Sequence, residues 1–268
     1  MIADGKLVAS KLKQRIIDNL KDKPKKEVCF VIFGNDPASE QFIGMKCRFA
    51  ESLGIPTRVV EHPESLSFDE IKKVIEDIVL SDVAGIVIQL PLPEGLPVQD
   101  ILNLVPVELD IDVLSLDSKV SYKNGTSNKI PPVSRAVSEI FDFYNIDLNN
   151  KEVLVIGNGK LVGEPVSAML QLKNIPFKVI DKDTDSNLSK NLISSADVII
   201  SGAGSSHMIK PDMIKEGVVL IDAGTSEQSG KIVGDVDPAC FGKAFLVTPV
   251  PGGVGPVTLA SLFLNINL

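Results

Sequence analysis

Residues 152–181 constrain the fold of this chain more than any other stretch. They open with a short apolar run, Val153–Ile156, followed by three glycines, a helical pattern and a second apolar run, Phe177–Ile180. Apolar runs this short, bounded by glycine, are typical of buried strands. Strand, glycine turn, helix and strand make the first half of a dinucleotide-binding unit, in which glycine lets the backbone approach a pyrophosphate beside the helix N-terminus.

The glycine spacing in this stretch, Gly157, Gly159 and Gly163, is GxGxxxG and not the standard GxGxxG fingerprint. Many strand–helix turns carry glycine for packing, so the spacing leaves a nucleotide site and a packing turn equally open. An acid at the end of the second strand, here Asp181, accepts hydrogen bonds from an adenosine ribose and repels a 2′-phosphate, which favours NAD over NADP. A solvated loop acid is the alternative, because Lys182 and further charged residues follow it.

Composition and charge exclude several classes of protein. The net charge of the 268 residues is −8, and no lysine- and arginine-rich run of the nucleic-acid-binding type is present. Nucleic acids and membrane surfaces are therefore disfavoured as partners. Three scattered cysteines, Cys29, Cys47 and Cys240, and two histidines fit neither a zinc site nor a disulfide framework. No apolar run is long enough to span a membrane, so we expect a cytoplasmic protein without a metal site.

The alternation of strands and helices along the chain predicts an α/β protein with parallel sheets. We expect two domains: an N-terminal three-layer α/β domain formed by residues 1–116 with 249–268, and a Rossmann-like domain formed by residues 117–248. Residues 105–132 are predicted to be an irregular hinge region, and the interdomain cleft is the default ligand site. The predicted strands are residues 28–33, 57–61, 85–89, Val153–Ile156, Phe177–Ile180, 197–201, 218–222 and 244–248. The predicted helices are Gly5–Leu20, 37–53, 68–80, 98–104 and 133–145, with one more after Gly163 and one in the C-terminal tail.

Several side chains stand where strands and helices commonly place functional groups. Phe42 and Lys46, four residues apart on one predicted helix, share a face. Lys46 either snorkels to solvent, the commoner case, or is desolvated, with a lowered pKa that suits a base. Gln89 ends a buried strand, where it either meets a ligand or caps backbone donors. Asp110 and Asp112 fit turn formers as well as site residues.

Motifs spread over almost the whole chain form one set. They are GNDPAS at residues 34–39, IVIQLPLP at 86–93, VGEP at 162–165, VGDVD at 233–237 and TPVPGGVGPVT at 248–258. With Lys46 placed four residues beyond a characteristic tyrosine position, they resemble the bifunctional methylenetetrahydrofolate dehydrogenase/methenyltetrahydrofolate cyclohydrolase (FolD-type) family.

This resemblance implies a folate enzyme with two activities. A dehydrogenase step moves a hydride from 5,10-methylenetetrahydrofolate to a nicotinamide, and a cyclohydrolase step adds water to the methenyl product and opens it to 10-formyltetrahydrofolate. The resemblance implies that Lys46 activates water, that Gln89 positions the lysine, that Asp112 holds the pterin, and that the protein is a homodimer. The implied substrate-binding residues are Phe42, Asp112, Pro251, Gly252, Gly253 and Thr258, and the cofactor-binding residues are Gly157, Asn158, Gly159, Val162, Gly163, Asp181, Lys182, Gly204 and Thr225.

The chain departs from the family pattern at the folate pocket. Phe42 replaces a tyrosine and lacks its hydroxyl, which predicts a weakened proton relay and a cyclohydrolase weaker than the dehydrogenase. Val113 replaces a glycine, so the turn after Asp112 is expected to form without a residue of positive φ or to take another shape. Residues 131–134 also lack the family's threonine contact. A dehydrogenase with weak hydrolase activity and a catalytically silent folate- or nucleotide-binding protein therefore stand beside the bifunctional enzyme.

The departures at the nucleotide site bear on the choice of cofactor. Asn158 and Glu164 stand at two positions where the family has arginines that help to hold a 2′-phosphate, and Asp181 replaces a common histidine. Loss of arginine and gain of acids both favour NAD. Lys182 is the nearby cation that opposes this choice, and NADP is the family default.

Overall fold

One parallel sheet lies at the centre of each of two units into which the chain divides. A computed structural model describes residues 1–21, 23, 25–228 and 230–266. The three-stranded unit comprises Leu12–Pro132 with Leu259–Leu268, and the five-stranded unit comprises Met1–Lys11 with Val133–Thr258. These bounds differ from the predicted domains at residues 1–11, 117–132 and 249–258, and residues 267 and 268 lie outside the described residues. The predicted domain division stays a proposal.

Helices cover both faces of the sheet in the three-stranded unit. The elements from residue 5 to residue 123 are α1 (Gly5–Leu20), β1 (Glu27–Phe33), α2 (Pro37–Ser52), β2 (Thr57–His62), α3 (Phe68–Val79), β3 (Val83–Ile88), α4 (Val98–Leu102) and α5 (Leu116–Lys123). The strands are parallel in the order β2–β1–β3. Alternate side chains of β1 enter two cores, one with Val28, Phe30 and Ile32 and one with Cys29, Val31 and Phe33. The first core includes side chains of α1 and α2 and the second side chains of α3 and α4, so the predicted three layers are confirmed.

Local signals in the sequence fix the start of α2. The Asp36 carboxylate accepts hydrogen bonds from the backbone N–H of Ser39 at 3.0 Å and from its hydroxyl at 2.7 Å, and Pro37 occupies the first turn. Aspartate at the cap and proline in the first turn satisfy or remove helix donors that have no partner within the helix. The predicted start of this helix is therefore confirmed, and it sets the position of Lys46.

The five-stranded unit is doubly wound. Its elements are α6 (Pro132–Phe143), β4 (Val153–Ile156), α7 (Gly163–Leu172), β5 (Phe177–Ile180), α8 (Ser186–Ser195), β6 (Val198–Ser201), β7 (Val219–Asp222), β8 (Ser226–Gln228), β9 (Lys231–Val233), β10 (Leu246–Val247) and α9 (Val254–Phe263), the last of which continues into the three-stranded unit. The main sheet has the parallel order β10–β7–β6–β4–β5. The chain leaves β4 for β5 on one side and returns to β6 on the other, so the strand order reverses at β4. Ligands of such sheets bind outside the carboxyl ends of the strands at this switch point.

Four elements, two helices and the two strands of a hairpin, lie where sequence reasoning predicted none. Residues 105–132, predicted to be irregular, contain α5, which is capped by Ser115 and buries Ser118 and Tyr122. Its buried face is partly polar, so the apolar periodicity that reveals other helices is missing. Helix α8 begins at the Asp185 cap, and β8 and β9 form an antiparallel hairpin. The prediction of a wholly irregular hinge was therefore wrong.

The first residues of the chain extend the sheet of the five-stranded unit. Ile2 lies opposite Val247 in a parallel bridge, and the Ala3 N–H donates to the Val247 carbonyl at 2.8 Å. This pairing covers the edge of β10, whose backbone groups would otherwise lack partners on that side. It also explains why the first eleven residues join this unit and not the predicted first domain. Within the described residues, no helix has the length and apolar character needed to cross a membrane.

Candidate active site

Two side chains from separate elements meet at the carboxyl end of the sheet in the three-stranded unit. Lys46 lies on α2, and Gln89 directly follows β3, where its backbone N–H donates to the Val31 carbonyl of β1. The Lys46 Nζ donates to Gln89 Oε1 at 2.9 Å, while Gln89 Nε2 donates to the Leu90 carbonyl at 2.6 Å. The second bond fixes the amide so that its oxygen faces the lysine.

Burial is the main cause of the pKa shifts of Lys46 and of the neighbouring acid, Asp112. Desolvation lowers the pKa of the Lys46 ammonium, and the charge of Asp112 acts in the opposite direction. Desolvation raises the pKa of the Asp112 carboxyl, and Lys46 acts in the opposite direction. Desolvation thus favours the uncharged form of each group. A lysine with a lowered pKa has the character of a base, which favours that interpretation over simple snorkelling.

The turn that carries Asp112 has an unusual backbone. Val113 adopts a φ of 57° and is only 1% exposed, whereas the sequence predicted a turn that either forms without positive φ or takes another shape. The Asp110 carboxylate, itself buried, accepts the N–H groups of Leu114 at 3.0 Å and Ser115 at 2.9 Å. A β-branched residue rarely takes this conformation. The two hydrogen bonds and the burial of the valine side chain hold it there, so the first of these alternatives, a turn without positive φ, was wrong.

Phe42 lies one helical turn before Lys46 and keeps 40% of its surface exposed. An exposed ring beside the lysine is available to stack on a planar ligand. The side chain adds no hydroxyl to the group formed by Lys46 and Gln89. The geometry is therefore that of a binding surface with one proton-transferring amine.

Backbone atoms pack closely against one another in the glycine turn that follows β4. Gly157 has a φ of 91°, and its N–H donates to the Ile180 carbonyl of β5. A Cβ on Gly163, at the start of α7, would lie 2.0 Å from the Gly157 carbonyl oxygen. Val162 packs against Gly202, where a Cβ would lie 2.3 Å from its Cγ1. Gly159 has nothing within 4 Å of its Cβ position, and Asn158 is exposed, so this part of the turn is open at the N-terminus of α7.

Asp181 directly follows β5, at the end of the second strand of this unit as predicted, and β5 lies beside β4, where the strand order reverses. Its side-chain Oδ1 accepts hydrogen bonds from the Asp183 N–H and the Thr184 hydroxyl, each at 3.1 Å. These bonds form a local turn, which is the loop role that the sequence left open beside ribose binding. Asp181 and Lys182 are both exposed.

Two buried acids, Asp222 and Asp235, order the loops beyond β6 and β7. The Asp222 carboxylate accepts the backbone N–H groups of Gly224 at 3.0 Å and Val236 at 2.8 Å. The Asp235 carboxylate accepts the Ser201 hydroxyl at 2.6 Å and the N–H groups of residues 203 and 205 at 2.8 and 2.7 Å. Burial raises the pKa of Asp222 to about 6. Sequence reasoning gave Asp235 no role, although its position inside the VGDVD motif was the available signal.

These acids hold in place two residues predicted to bind the cofactor. Gly204, with a φ of 63°, lies between the two backbone N–H groups bound by Asp235. Thr225, which is exposed, follows Gly224, bound by Asp222. Gly204 and Thr225 are neighbours, since the Cβ position of Gly204 is 3.8 Å from the Thr225 carbonyl oxygen. The structure therefore brings these two predicted residues together.

The proline- and glycine-rich loop before α9 is tied to the start of the chain. Pro251 follows a cis peptide bond, and Gly252, with a φ of 107°, accepts the Gly5 N–H at 3.0 Å through its carbonyl. Gly253 donates to the Pro249 carbonyl at 2.7 Å, and its missing Cβ leaves room for that residue. The Thr258 hydroxyl donates to the Val254 carbonyl within α9 at 3.1 Å. This loop is part of the five-stranded unit.

Comparisons with known proteins place almost the whole chain in one family. The family model described as the tetrahydrofolate dehydrogenase/cyclohydrolase catalytic domain matches residues 3–112, and the NAD(P)-binding domain of the same family matches residues 131–268. Bifunctional protein FolD 2 of Lactobacillus johnsonii is 35% identical over 267 residues, covering 97% of this chain and 94% of that protein.

Solved structures of enzymes from the same family have the same fold as this chain. The bifunctional FolD enzyme of Campylobacter jejuni has a TM-score of 0.93 at 32% identity, covering 99% of this chain and 96% of its own. The methylenetetrahydrofolate dehydrogenase-cyclohydrolase of Trypanosoma brucei, solved with NADP and an inhibitor, has a TM-score of 0.92 at 25% identity and covers 99% and 95%.

Proposed function

This chain belongs to the tetrahydrofolate dehydrogenase/cyclohydrolase family, and we propose that Lys46, Gln89 and Asp112 are the groups with which it acts on folate. Its activity is that of a methylenetetrahydrofolate dehydrogenase and methenyltetrahydrofolate cyclohydrolase in folate one-carbon metabolism. Its cofactor is a nicotinamide dinucleotide.

The hydrogen bond from Lys46 to Gln89, together with the lowered pKa of the lysine, carries the proposal for the hydrolase step. The methenyl substrate is a cation, so a base that is uncharged before it accepts a proton suits it, because it does not repel the substrate. The Lys46 amine takes a proton from the attacking water, and the water oxygen bonds to the methenyl carbon. Lys46 then returns that proton to the ring nitrogen whose bond to this carbon breaks, and the hydroxyl of the intermediate releases its own proton to solvent as the formyl C=O forms. Gln89 orients the amine throughout, and Asp112 accepts hydrogen bonds from the donor edge of the pterin.

The closely packed glycine turn fits a dinucleotide, because its backbone N–H groups and the open N-terminus of α7 suit a pyrophosphate. The residues proposed to hold it are Gly157, Asn158, Gly159, Val162, Gly163, Asp181, Lys182, Gly204 and Thr225. Bound there, the nicotinamide supplies the hydride-accepting chemistry of the dehydrogenase step. We propose NAD as the preferred form, since Asn158 and Glu164 bring no positive charge to the turn and Asp181 brings a negative one. Assembly into a homodimer is proposed with it, and light scattering of the purified protein tests that.

A spectrophotometric assay with 5,10-methylenetetrahydrofolate, run in parallel with NAD and NADP, tests the cofactor proposal. We expect kcat/KM to be larger with NAD by about tenfold, which corresponds to one unfavourable charge contact with the 2′-phosphate. A larger value with NADP would assign the 2′-phosphate to Lys182 or another cation and overturn the choice of NAD. Folate binding without reduction of either cofactor would favour the catalytically silent alternative.

The missing hydroxyl at Phe42 favours a second candidate, a dehydrogenase whose hydrolase step is weak. Phe42→Tyr restores a hydroxyl one turn before Lys46 and is expected to raise the rate of methenyltetrahydrofolate hydrolysis by about threefold to tenfold through the proton relay. The dehydrogenase rate is expected to change by less than about twofold. Phe245→Tyr, at an exposed phenylalanine of the five-stranded unit, is the matched control. Unchanged hydrolysis in Phe42→Tyr would remove the basis for this candidate.

A further inference from the structure

The residues on both sides of Asp112 are anchored in the core. Within the described residues 110–115, Asp112 is the one that is not buried. The Ile111 side chain is fully buried and packs so closely on β3 that a Cβ at Gly85 would lie 2.6 Å from its Cγ2. Val113 is buried as well. The direction in which Asp112 points is therefore determined by how firmly this turn is held.

Asn265, which is 154 residues from Ile111 in the sequence, holds the backbone of the turn. Its side-chain Nδ2 donates to the carbonyls of Ile111 and Ile130, each at 2.8 Å, and its Oδ1 accepts the Ile130 N–H at 3.1 Å. Asn265 is only 2% exposed. The amide uses both donors and its acceptor to join two segments of backbone. A buried amide placed in this way is costly unless each bond is made, so the geometry is well defined.

Lys129 holds the segment just before the turn. It is 3% exposed, and its Nζ donates to the carbonyls of Val107 at 2.8 Å and Glu108 at 2.5 Å. Desolvation lowers the pKa of this ammonium, and the charge of Asp110 acts in the opposite direction. Asp110 in turn binds the two N–H groups after Val113. Lys129 and Asn265 thus fix the backbone before Asp112, and Asp110 fixes the backbone after it.

We propose that Asn265 is a positioning residue for substrate binding: by holding the Ile111 carbonyl, it aims the Asp112 carboxylate. Lys129 assists by holding the segment just before the turn. The inference rests on the proposed role of Asp112 in folate binding. It assigns a function in the folate site to a residue near the end of the chain that does not itself contact the substrate.

Steady-state kinetics of Asn265→Ala and the isosteric Asn265→Asp test the inference. Both variants are expected to raise the KM for 5,10-methylenetetrahydrofolate about tenfold and to change the KM for NAD by less than about twofold. Added to Asp112→Asn, either change is expected to raise the folate KM by less than about threefold further, because two residues acting on one contact are not additive. Ser261→Ala is the control, since this serine is buried on α9 and its hydroxyl has no partner among the described residues.

Three outcomes would overturn the inference: an unchanged folate KM, an equal rise of both KM values, or full additivity with Asp112→Asn. Hydrogen exchange gives a second measurement that does not depend on activity. The N–H groups of Leu114 and Ser115 are expected to exchange faster in Asn265→Asp, with those of β3 unchanged, and unchanged exchange at the turn would also overturn the inference. If Asp112→Asn itself leaves the folate KM unchanged, the proposed role of Asp112 fails and takes this inference with it.

Discussion

Replacing Lys46 with methionine is expected to slow the hydrolysis of 5,10-methenyltetrahydrofolate by about 10²–10⁴-fold, the usual contribution of a positioned base. Methionine keeps the apolar stem on α2 and removes the amine that donates to Gln89. Hydride transfer needs no base at this position, so the dehydrogenase rate is expected to fall by less than about tenfold. Both rates are read from the absorbance of the methenyl compound, whose loss reports hydrolysis and whose formation reports dehydrogenation.

Two further variants make this first prediction specific. Lys46→Arg keeps the positive charge but cannot lose its proton, so it is expected to be as poor a hydrolase as the methionine variant. Lys72→Met removes an exposed lysine of α3 and is expected to change neither rate. Equal losses in both activities of Lys46→Met would mean that the lysine serves binding and is not a base.

The pH dependence of hydrolysis tests whether Lys46 acts as the base. Lys46 acts as a base only when unprotonated, so hydrolysis is expected to rise with pH through the pKa of the lysine, which burial lowers, and to level off above it. The charge of Asp112 raises that pKa, so Asp112→Asn is expected to shift the rising limb to lower pH when substrate is saturating. A shift to higher pH would contradict the electrostatic coupling of these two groups.

Substituting alanine at Gly163 is expected to raise the KM for the dinucleotide about 10–100-fold. The new Cβ would meet the Gly157 carbonyl oxygen at 2.0 Å and the Asn158 Cα at 2.9 Å, and these are backbone atoms that no rotamer change can move aside. Shifting the turn costs about 1–3 kcal/mol, which corresponds to that range of affinity. The KM for folate is expected to stay within about twofold, because Lys46, Gln89 and Asp112 belong to the other unit.

The control for this second prediction is Gly242→Ala, where nothing lies within 4 Å of the new Cβ and φ is compatible with alanine. This variant is expected to bind the dinucleotide normally. Urea unfolding of both variants separates a local shift of the turn from loss of the folded state. A normal dinucleotide KM in Gly163→Ala would show that the turn tolerates the movement and that the cofactor is held elsewhere.

Local patterns in the sequence predicted most of the strands and the glycine turn. Val153–Ile156 and Phe177–Ile180 were predicted with their observed bounds, because short apolar runs that end at turn residues have few alternatives. Helix α5 was missed because its buried face includes Ser118 and its apolar pattern is weak. The conformation of Val113 depends on a carboxylate three residues earlier and on burial in a core that no local pattern describes.

The candidate site likewise contains residues that local patterns point to and a contact that they do not reveal. Lys46 and Gln89 stood out by their places on a helix and at a strand end, and the family resemblance gave them their predicted roles. Their 2.9 Å contact follows from the parallel order of β1 and β3. The bond from Asn265 to the Ile111 carbonyl joins residues 154 positions apart. Such a contact depends on the path of the whole chain, so one sequence cannot reveal it. Asn265 would have been noticed only as a polar residue in an apolar tail.

The pairing of Ala3 with Val247 limits how this protein can be dissected. Neither unit is a continuous piece of chain, because the five-stranded sheet takes its last pairing from residues 2 and 3 and the three-stranded core takes Leu262 and Phe263 from α9. A gene cut between Pro132 and Val133 would encode two fragments that each lack part of their own interior. During synthesis, neither unit can complete its core or sheet until about the last tenth of the chain has been made, because closing such long loops requires both ends to be present.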